Sequence, residues 1–271
     1  MISSGVRTLK VASQRGGSDR PDSIHRFRIG LRRLRSVLSA FSKVLPPDDR
    51  RALGQRLASI GRSYSRLREW DVFLSTTVRP MVDALPEEPS LLEIDATARD
   101  ARRLAVPEAG GLRRQIEEVV TAIDEAPWLQ RPAGAFELEW EKDLKGFAGE
   151  LLAKRHRRLR KRLKKVDITN QKDFHQLRIQ AKKIRYPTEM FSNLFEPKSA
   201  DTYLDRLIDV QDALGHLNDA LVARDRLGEL PLSSRAQGLV SGWLAHEIEV
   251  RRQRFPRAAK SLRKAAPFWE E

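Results

Sequence analysis

The sequence contains no cysteine, which excludes disulfide bonds, thiol catalysis and cysteine-ligated metal sites. Aromatic residues make up only 7% of the chain and fall mostly at helix positions that are otherwise apolar. The exposed aromatics on which single-stranded nucleic acids stack are therefore not expected. No apolar run approaches the ~18 residues of a membrane span, and the N-terminus lacks the apolar segment of a secretory signal. These absences predict a soluble cytoplasmic protein.

The sequence also shows no convincing alternation of apolar and polar residues of the kind that marks β-strands. Apolar residues instead recur at helical spacing, and the hydrophobic content of 40% is enough to bury a core. We therefore predict an all-α fold. Its C-terminal part is expected to contain separate helices at about 199–213 and 216–228, and again at about 233–254 and 257–265.

A segment with two prolines and a glycine, residues 126–134, is the best candidate for a linker between two parts of the chain. It predicts a first half over residues 1–130 and a second half over residues 131–271. The two halves match one another at a constant offset of 150 residues, and the first half begins late in that register. Its first helix is accordingly expected to be shortened.

Positive charge dominates the composition, with a net charge of +14 and a pI of about 10.4. Such a balance predicts affinity for phosphates, nucleic acid or an anionic surface and says nothing about the fold. Arginine outnumbers lysine, and its planar guanidinium matches phosphate oxygens in a bidentate manner.

The strongest motif is a stretch that occurs twice, as SIHRFRIGLRRLRSVLSAF at 23–41 and as DFHQLRIQAKKIRYPTEMF at 173–191. On a helix, each copy has one apolar face and, beside it, a row of cations headed by a histidine. The residues of the two rows are His25, Arg28, Arg32, Arg33 and Arg35, and His175, Arg178, Lys182, Lys183 and Arg185.

Like charges at positions i, i+3 and i, i+4 of a helix repel one another. A single row of this kind is commonly a solvated face, but its repetition in register favours an anionic partner. We predict that both rows face one groove and neutralise a linear polyanion. The histidines are expected to be mainly neutral in the free protein and to gain a proton on binding, so that binding is tighter at mildly acidic pH.

The register extends beyond the two rows, because Arg7 aligns with Arg157 and Lys10 with Arg160. A long helix predicted over about 135–165 ends in the densest basic run of the chain. Further candidates for polyanion contact are Arg7, Lys10, Arg66, Arg157, Arg160 and Lys164.

Pro187 lies inside the second basic helix and predicts a kink near Tyr186.

In three places the sequence resembles the CHAD family, named for its conserved histidine α-helical domain. These are the motif His-x-x-Arg-x-x-x-Arg-Arg-Leu-Arg from His25, its second copy from His175, and Leu-Gly-His-Leu-Asn-Asp at 214–219. The family's fold is a pair of four-helix-type bundles, related by a pseudo-twofold axis, with a basic channel or groove. Its members bind inorganic polyphosphate, and some reside on polyphosphate granules. The resemblance implies a non-catalytic polyphosphate-binding surface lined by the two rows, and polyphosphate-metabolising enzymes as further partners.

Two other functions are compatible with the charge. A nucleic-acid-binding protein would need a helix-turn-helix, a zinc module or exposed aromatics, and none is visible, so nucleic acid is expected only as a weaker electrostatic competitor. Aromatics at helical spacing are predicted to be core residues instead: Phe27, Phe41, Phe191, Phe195, Trp70 and Trp243.

A metal-dependent phosphohydrolase would need a cluster of carboxylate or histidine ligands. His25 and His175 head rows of cations, which repel a divalent ion, and His156 and His246 are expected at the surface or in the core. The acidic segment 137–141 resembles a strand of the triphosphatase domain that precedes this domain in some family members, but it has no β context. We therefore predict no metal, no cofactor and no catalytic residue. Three aspartates are expected to act as caps or ion pairs: Asp71, Asp212 and Asp219.

Overall fold

A computed structural model describes residues 21–126 and 143–270. These residues form helices and no strand, so the all-α prediction is confirmed for this part of the chain. The helices are α1 (Pro21–Ala40), α2 (Pro47–Ser63), α3 (Ser65–Phe73), α4 (Arg79–Ala84), α5 (Ser90–Leu104), α6 (Ala109–Asp124), α7 (Leu144–Lys165), α8 (Gln171–Phe191), α9 (Pro197–Leu227) and α10 (Ser234–Arg263). A π-helical turn at Leu74–Val78 joins α3 to α4, and 3₁₀ turns follow α8 and α10 at Ser192–Leu194 and Phe268–Glu270.

Side-chain caps fix the starts of the helices in the second half. Asn170 accepts hydrogen bonds from the backbone N–H groups of Lys172 and Asp173 at 3.0 and 3.1 Å, and thereby begins α8. Asp143 accepts from the N–H of Gly146 at 2.8 Å and begins α7. These short polar contacts set the register in which the second basic row is presented.

The predicted breaks within the last two helices are wrong. Helix α9 continues through Gly215, and α10 continues through Pro256. Both helices pack extensively against each other and bury apolar side chains before and after these residues, such as Val210 and Leu217 in α9. This packing outweighs the weak helix propensity of one glycine or one proline.

Within the described ranges, the buried apolar side chains form three clusters. One lies among α1, α2 and α6 and includes Leu57 and Ile60, and another lies among α7, α8, α9 and the end of α10. The third combines both sides of the predicted boundary, because Trp70 and Phe73 of α3 pack with Val240 of α10. The boundary near residue 130 lies outside the described residues and stays a prediction.

The aromatic residues predicted to be core are confirmed as such. Four of them are buried, and Phe41 and Trp243 are partly buried against the clusters. The equivalent residues Phe41 and Phe191 touch one another, with ring centroids 6.1 Å apart. His156 is also a core residue, since its Nδ1 atom lies in hydrogen-bonding distance of Tyr203 Oη at 2.9 Å and its ring packs against Trp269.

The helices that carry the repeated motifs meet in the middle of the molecule. Helix α1 contacts α8, and α3 contacts α9. Helix α8 continues through Pro187, whose missing N–H leaves the carbonyl of Lys183 without its helical donor. The guanidinium of Arg155 on α7 donates to that carbonyl, and it also donates to Ser39 Oγ of α1 at 3.2 Å. None of the helices in the described ranges is sufficiently long and apolar to cross a membrane.

Candidate functional site

A cleft of about 330 Å³ lies where α1 and α3 meet α8 and α9. Twelve of its fifteen lining residues form six pairs whose members are 150 positions apart. Equivalent positions of the two copies of the repeat therefore line the same cleft. The remaining three are His25, Asp212 and His216. The pairs are Arg28 and Arg178, Arg32 and Lys182, Ser65 and Gly215, Arg68 and Asn218, Glu69 and Asp219, and Val72 and Val222.

Cations outnumber carboxylates in this lining. Five side chains are arginine or lysine, three from α1 and α3 and two from α8, whereas the carboxylates are those of Glu69, Asp212 and Asp219. Glu69 already accepts a hydrogen bond from Arg226 Nε at 3.0 Å, which neutralises part of its charge. The cleft therefore presents a net positive charge to a ligand.

Arg28 is held in place by the first half. Its Nη1 atom donates to the carbonyl of Gly61 at 2.7 Å and to Ser65 Oγ at 3.3 Å. Burial, and to a smaller extent the neighbouring charge of Arg32, lowers the pKa of Arg28 to about 10 against the effect of Glu69. The guanidinium remains charged at neutral pH, but it is partly desolvated and fixed in direction.

Lys182 is the most strongly perturbed cation of the cleft. Burial, together with the charges of Arg178, Arg32 and Arg28, lowers its pKa to about 7, while Asp219 opposes the shift. Burial also lowers the pKa of Arg178. The free cleft thus holds cations close together at a cost in free energy, and an anion among them would reduce that cost.

Arg32 belongs to the first row and acts electrostatically on both rows. Its Nε atom is buried and has no hydrogen-bond partner among the described residues. Its charge also acts on residues of both rows, because it lowers the pKa values of His25, Arg28, Arg178 and Lys182. Buried donors in proteins are nearly always satisfied, so this nitrogen is an incompletely satisfied donor at the cleft.

The two histidines that head the rows differ in position. His25 lines the cleft, and burial together with the charges of Arg68 and Arg32 lowers its pKa. His175 is exposed and does not belong to the lining. His216 of α9 takes part instead. His216 belongs to the Leu-Gly-His-Leu-Asn-Asp motif at 214–219. That motif could have predicted its place in the cleft, whereas the two basic rows could not.

The other predicted row residues lie outside the cleft. Arg33, Arg35 and Lys183 are exposed. Arg185 is partly buried, and its guanidinium is engaged by Glu189 at 2.6 Å and Gln211 at 3.0 Å. The structure therefore brings together positions 28, 32, 178 and 182 of the two rows, and its cleft does not include the later positions.

The remaining candidates are not part of the cleft either. Arg66 is exposed and forms an ion pair with Glu229 at 2.7 Å. Arg157, Arg160 and Lys164 lie on the exposed face of α7. Arg7 and Lys10 lie outside the described residues. A role of these cations in binding stays a prediction.

The sequence analysis did not include Arg68 among the candidate binding residues. The alignment of positions 67–69 with 217–219 could have indicated it, because the second segment belongs to the Leu-Gly-His-Leu-Asn-Asp motif. Arg155 was also missed, because nothing in the basic run distinguishes the one arginine that is buried. Its pKa is lowered to about 10 by burial.

Metal chemistry has no evident ligand set here. The described residues contain no cluster of three or more side chains suited to hold a metal ion. Asp71 forms the predicted ion pair, with Arg102 Nε at 2.6 Å. Asp212 and Asp219 lie inside α9 and therefore cap no helix; both face the cleft, where Asp219 favours the charged forms of Arg178 and Lys182.

Comparisons with known proteins agree with this architecture. A model of the CHAD domain matches residues 6–228. The crystal structure of the CHAD domain from the plant Ricinus communis is similar with a TM-score of 0.79 and 25% identity, over 98% of this chain and 90% of that one. PptA from Streptomyces chartreusis shares the fold with a TM-score of 0.64 and 16% identity, over 96% of both chains. No curated protein matches the sequence.

Proposed function

Because the chain belongs to the CHAD domain family, we propose that it binds inorganic polyphosphate in the cleft and does not catalyse its turnover. The single observation that carries the proposal is the meeting of the repeated positions in one cleft. Cations of both halves, Arg28 and Arg32 from one and Arg178 and Lys182 from the other, can then contact the same ligand.

The chemistry of the lining suits a chain of phosphates. Polyphosphate is a linear polyanion without bases, so it needs several fixed cations and no stacking platform. The lining contains no phenylalanine, tyrosine or tryptophan, and its arginines can form charge-assisted, bidentate hydrogen bonds with phosphate oxygens. Each contact also releases counterions, which adds a salt-dependent contribution to affinity.

The unpaired Nε of Arg32 and the lowered pKa of Lys182 add support. Both describe a cleft whose polar groups are incompletely satisfied in the free protein. A phosphate oxygen would supply an acceptor to Arg32 and a counter-charge to Lys182 at the same time. A neutral or cationic ligand would supply no counter-charge.

The proposal of binding without catalysis rests on what surrounds the carboxylates of the cleft. Asp212 and Asp219 lie among cations, which disfavours a bound divalent ion.

Residence in the cytoplasm or on polyphosphate granules, and cooperation with polyphosphate-metabolising enzymes, are parts of the same proposal.

The test is a titration with long-chain polyphosphate that compares two matched double variants. Arg32→Ala/Lys182→Ala removes one cation of each half from the cleft, whereas Arg33→Ala/Lys183→Ala removes the neighbouring exposed cation of each half. The first variant is expected to bind about a hundredfold more weakly, since each charged hydrogen bond contributes about 1.5 kcal/mol or more. The second is expected to stay within about threefold of the parent. Equal losses in both variants would contradict the proposal.

Nucleic acid is the alternative ligand, and a competition assay separates the two. Long-chain polyphosphate is expected to displace duplex DNA and RNA from the protein at equal phosphate concentration. Failure of polyphosphate to displace them would favour the nucleic-acid function.

A further inference from the structure

Helix α7 presents a second cationic surface. Residues 151–166 include nine arginines and lysines and no acidic residue. Seven of these cations, between Lys154 and Lys165, are exposed, and they extend over about 16 Å of helix at 1.5 Å per residue. The apolar residues of the same stretch, Leu152, Leu159 and Leu163, are buried. None of the seven cations lines the cleft.

The seven cations differ from those exposed arginines of this protein that form an ion pair on their own helix. Elsewhere a helical arginine commonly pairs with an acid one turn away, as Arg99 does with Asp95 at 2.6 Å and Arg113 with Glu117 at 2.8 Å. Among the described residues, the seven exposed cations of α7 have no such partner, and the one ion pair of this stretch is that of the half-buried Arg162 with Asp173. Such a row repels itself along the helix.

Favourable interaction with the helix dipole explains only part of the row. Cations in the last turn of a helix are stabilised by its partial negative charge, and this applies to Lys164 and Lys165. The effect decays within one turn, so it does not reach Lys154, Arg157 or Arg158. A solvated face without function would be expected to contain some acids among these positions, as α5 and α6 do.

Helix α10 adds positive charge beside α7. The two helices are in contact. The pKa of Asp167, which follows the end of α7, is lowered mainly by hydrogen bonds from Thr169 and only slightly by the charge of Arg252 on α10. Trp269, beyond the end of α10, packs against His156 near the middle of α7. The intervening part of α10 carries the exposed cations Arg254, Arg257 and Lys260. Helix α10 thus carries exposed cations of its own in the half of the protein that contains the α7 row.

We propose that the exposed cations of α7 form a second polyphosphate-binding surface, separate from the cleft, so that one protein molecule holds two segments of polyphosphate. This inference rests on the proposed function. The α7 row offers contacts to phosphate and no exposed aromatic side chain for stacking, which favours a polyanion without bases. Contacts on this open surface should be far more sensitive to salt than contacts in the partly desolvated cleft.

The test compares two triple variants with the same change in net charge. Arg157→Glu/Arg160→Glu/Lys164→Glu reverses the α7 row. Arg56→Glu/Arg114→Glu/Lys198→Glu reverses three exposed cations that are scattered over α2, α6 and α9. Each is titrated with tripolyphosphate, which is short enough for the cleft alone, and with long-chain polyphosphate at several salt concentrations.

The α7 variant is expected to bind tripolyphosphate within about twofold of the scattered variant and long-chain polyphosphate at least about tenfold more weakly. Its plot of log affinity against log salt should be shallower by about 2, since each phosphate contact contributes about 0.7. Equal long-chain affinity and equal slope in the two triple variants would overturn the inference.

Two further outcomes are decisive. If Arg32→Ala/Lys182→Ala binds tripolyphosphate as well as the parent does, the proposed function of the cleft fails, independently of α7. If the α7 variant loses binding to duplex DNA and keeps its long-chain polyphosphate affinity, the second surface recognises nucleic acid and the inference is wrong.

Discussion

At the scale of single residues, Lys182 determines how the cleft responds to pH. Its pKa of about 7 in the free protein arises from burial and from three neighbouring arginines. A bound polyanion replaces lost hydration with negative charge and so raises that pKa. Above pH 7, binding must then take up a proton, and affinity falls as the pH rises. Below pH 7 the amine is protonated in both states and contributes no pH dependence.

We therefore predict that affinity for long-chain polyphosphate decreases between pH 7 and 9, by up to about tenfold per pH unit for one linked proton. Lys182→Arg keeps the charge at all these pH values and is expected to remove the decrease. Calorimetric titrations at fixed ionic strength measure both. An unchanged pH profile in Lys182→Arg would show that another group takes up the proton.

His25 gives a separate pH dependence at lower pH. Its pKa is lowered from 6.5 in the free protein, so it gains a proton on binding at mildly acidic to neutral pH. His25→Gln is expected to flatten the profile near pH 6 and to leave the decrease above pH 7. His175 is exposed outside the cleft, and His175→Gln serves as the control.

At the scale of helices, Pro187 and Arg155 form one structural unit. The proline removes a helical hydrogen bond from α8, and Arg155 of α7 satisfies the carbonyl of Lys183 that is left over. The same guanidinium reaches Ser39 on α1. One buried side chain thereby links the two helices that carry the basic rows, next to the cleft residue Lys182.

Arg155→Met is expected to destabilise the fold by about 2 kcal/mol, because the Lys183 carbonyl is left buried without a donor. In a Pro187→Ala background the alanine N–H can bond that carbonyl, so the same substitution should cost less. Urea unfolding of the two single variants and the double variant gives the coupling energy. Additive costs would mean that Arg155 stabilises the protein by other contacts.

The helices themselves were largely predictable, since apolar periodicity marks them wherever one face is buried. The predicted breaks near Gly215 and Pro256 failed because α9 and α10 are packed along their length, and local sequence does not report that packing. The effect of Pro187 was half predictable. The lost hydrogen bond follows from the residue type, but its replacement by Arg155 depends on where α7 packs.

At the scale of the whole molecule, the 150-residue offset carried most of the information about the site. It identified Arg28, Arg32, Arg178 and Lys182, which line the cleft. It could not show that His25 lines the cleft and His175 does not, although both side chains are exposed, because equivalent positions differ in what packs beside them. It also gave no sign that Arg66 would be engaged by Glu229 from a distant part of the chain.

The measurement that tests the central claim most directly is the stoichiometry of tripolyphosphate binding in variants of each half. It is made by calorimetry at an ionic strength that screens exposed surfaces. Cations of both halves are predicted to hold one ligand, so Arg28→Ala and Arg178→Ala should each lower the affinity about tenfold or more and keep one ligand per protein. A variant that loses half of the bound ligand and keeps the parental affinity for the rest would mean two independent sites, and would contradict the shared cleft.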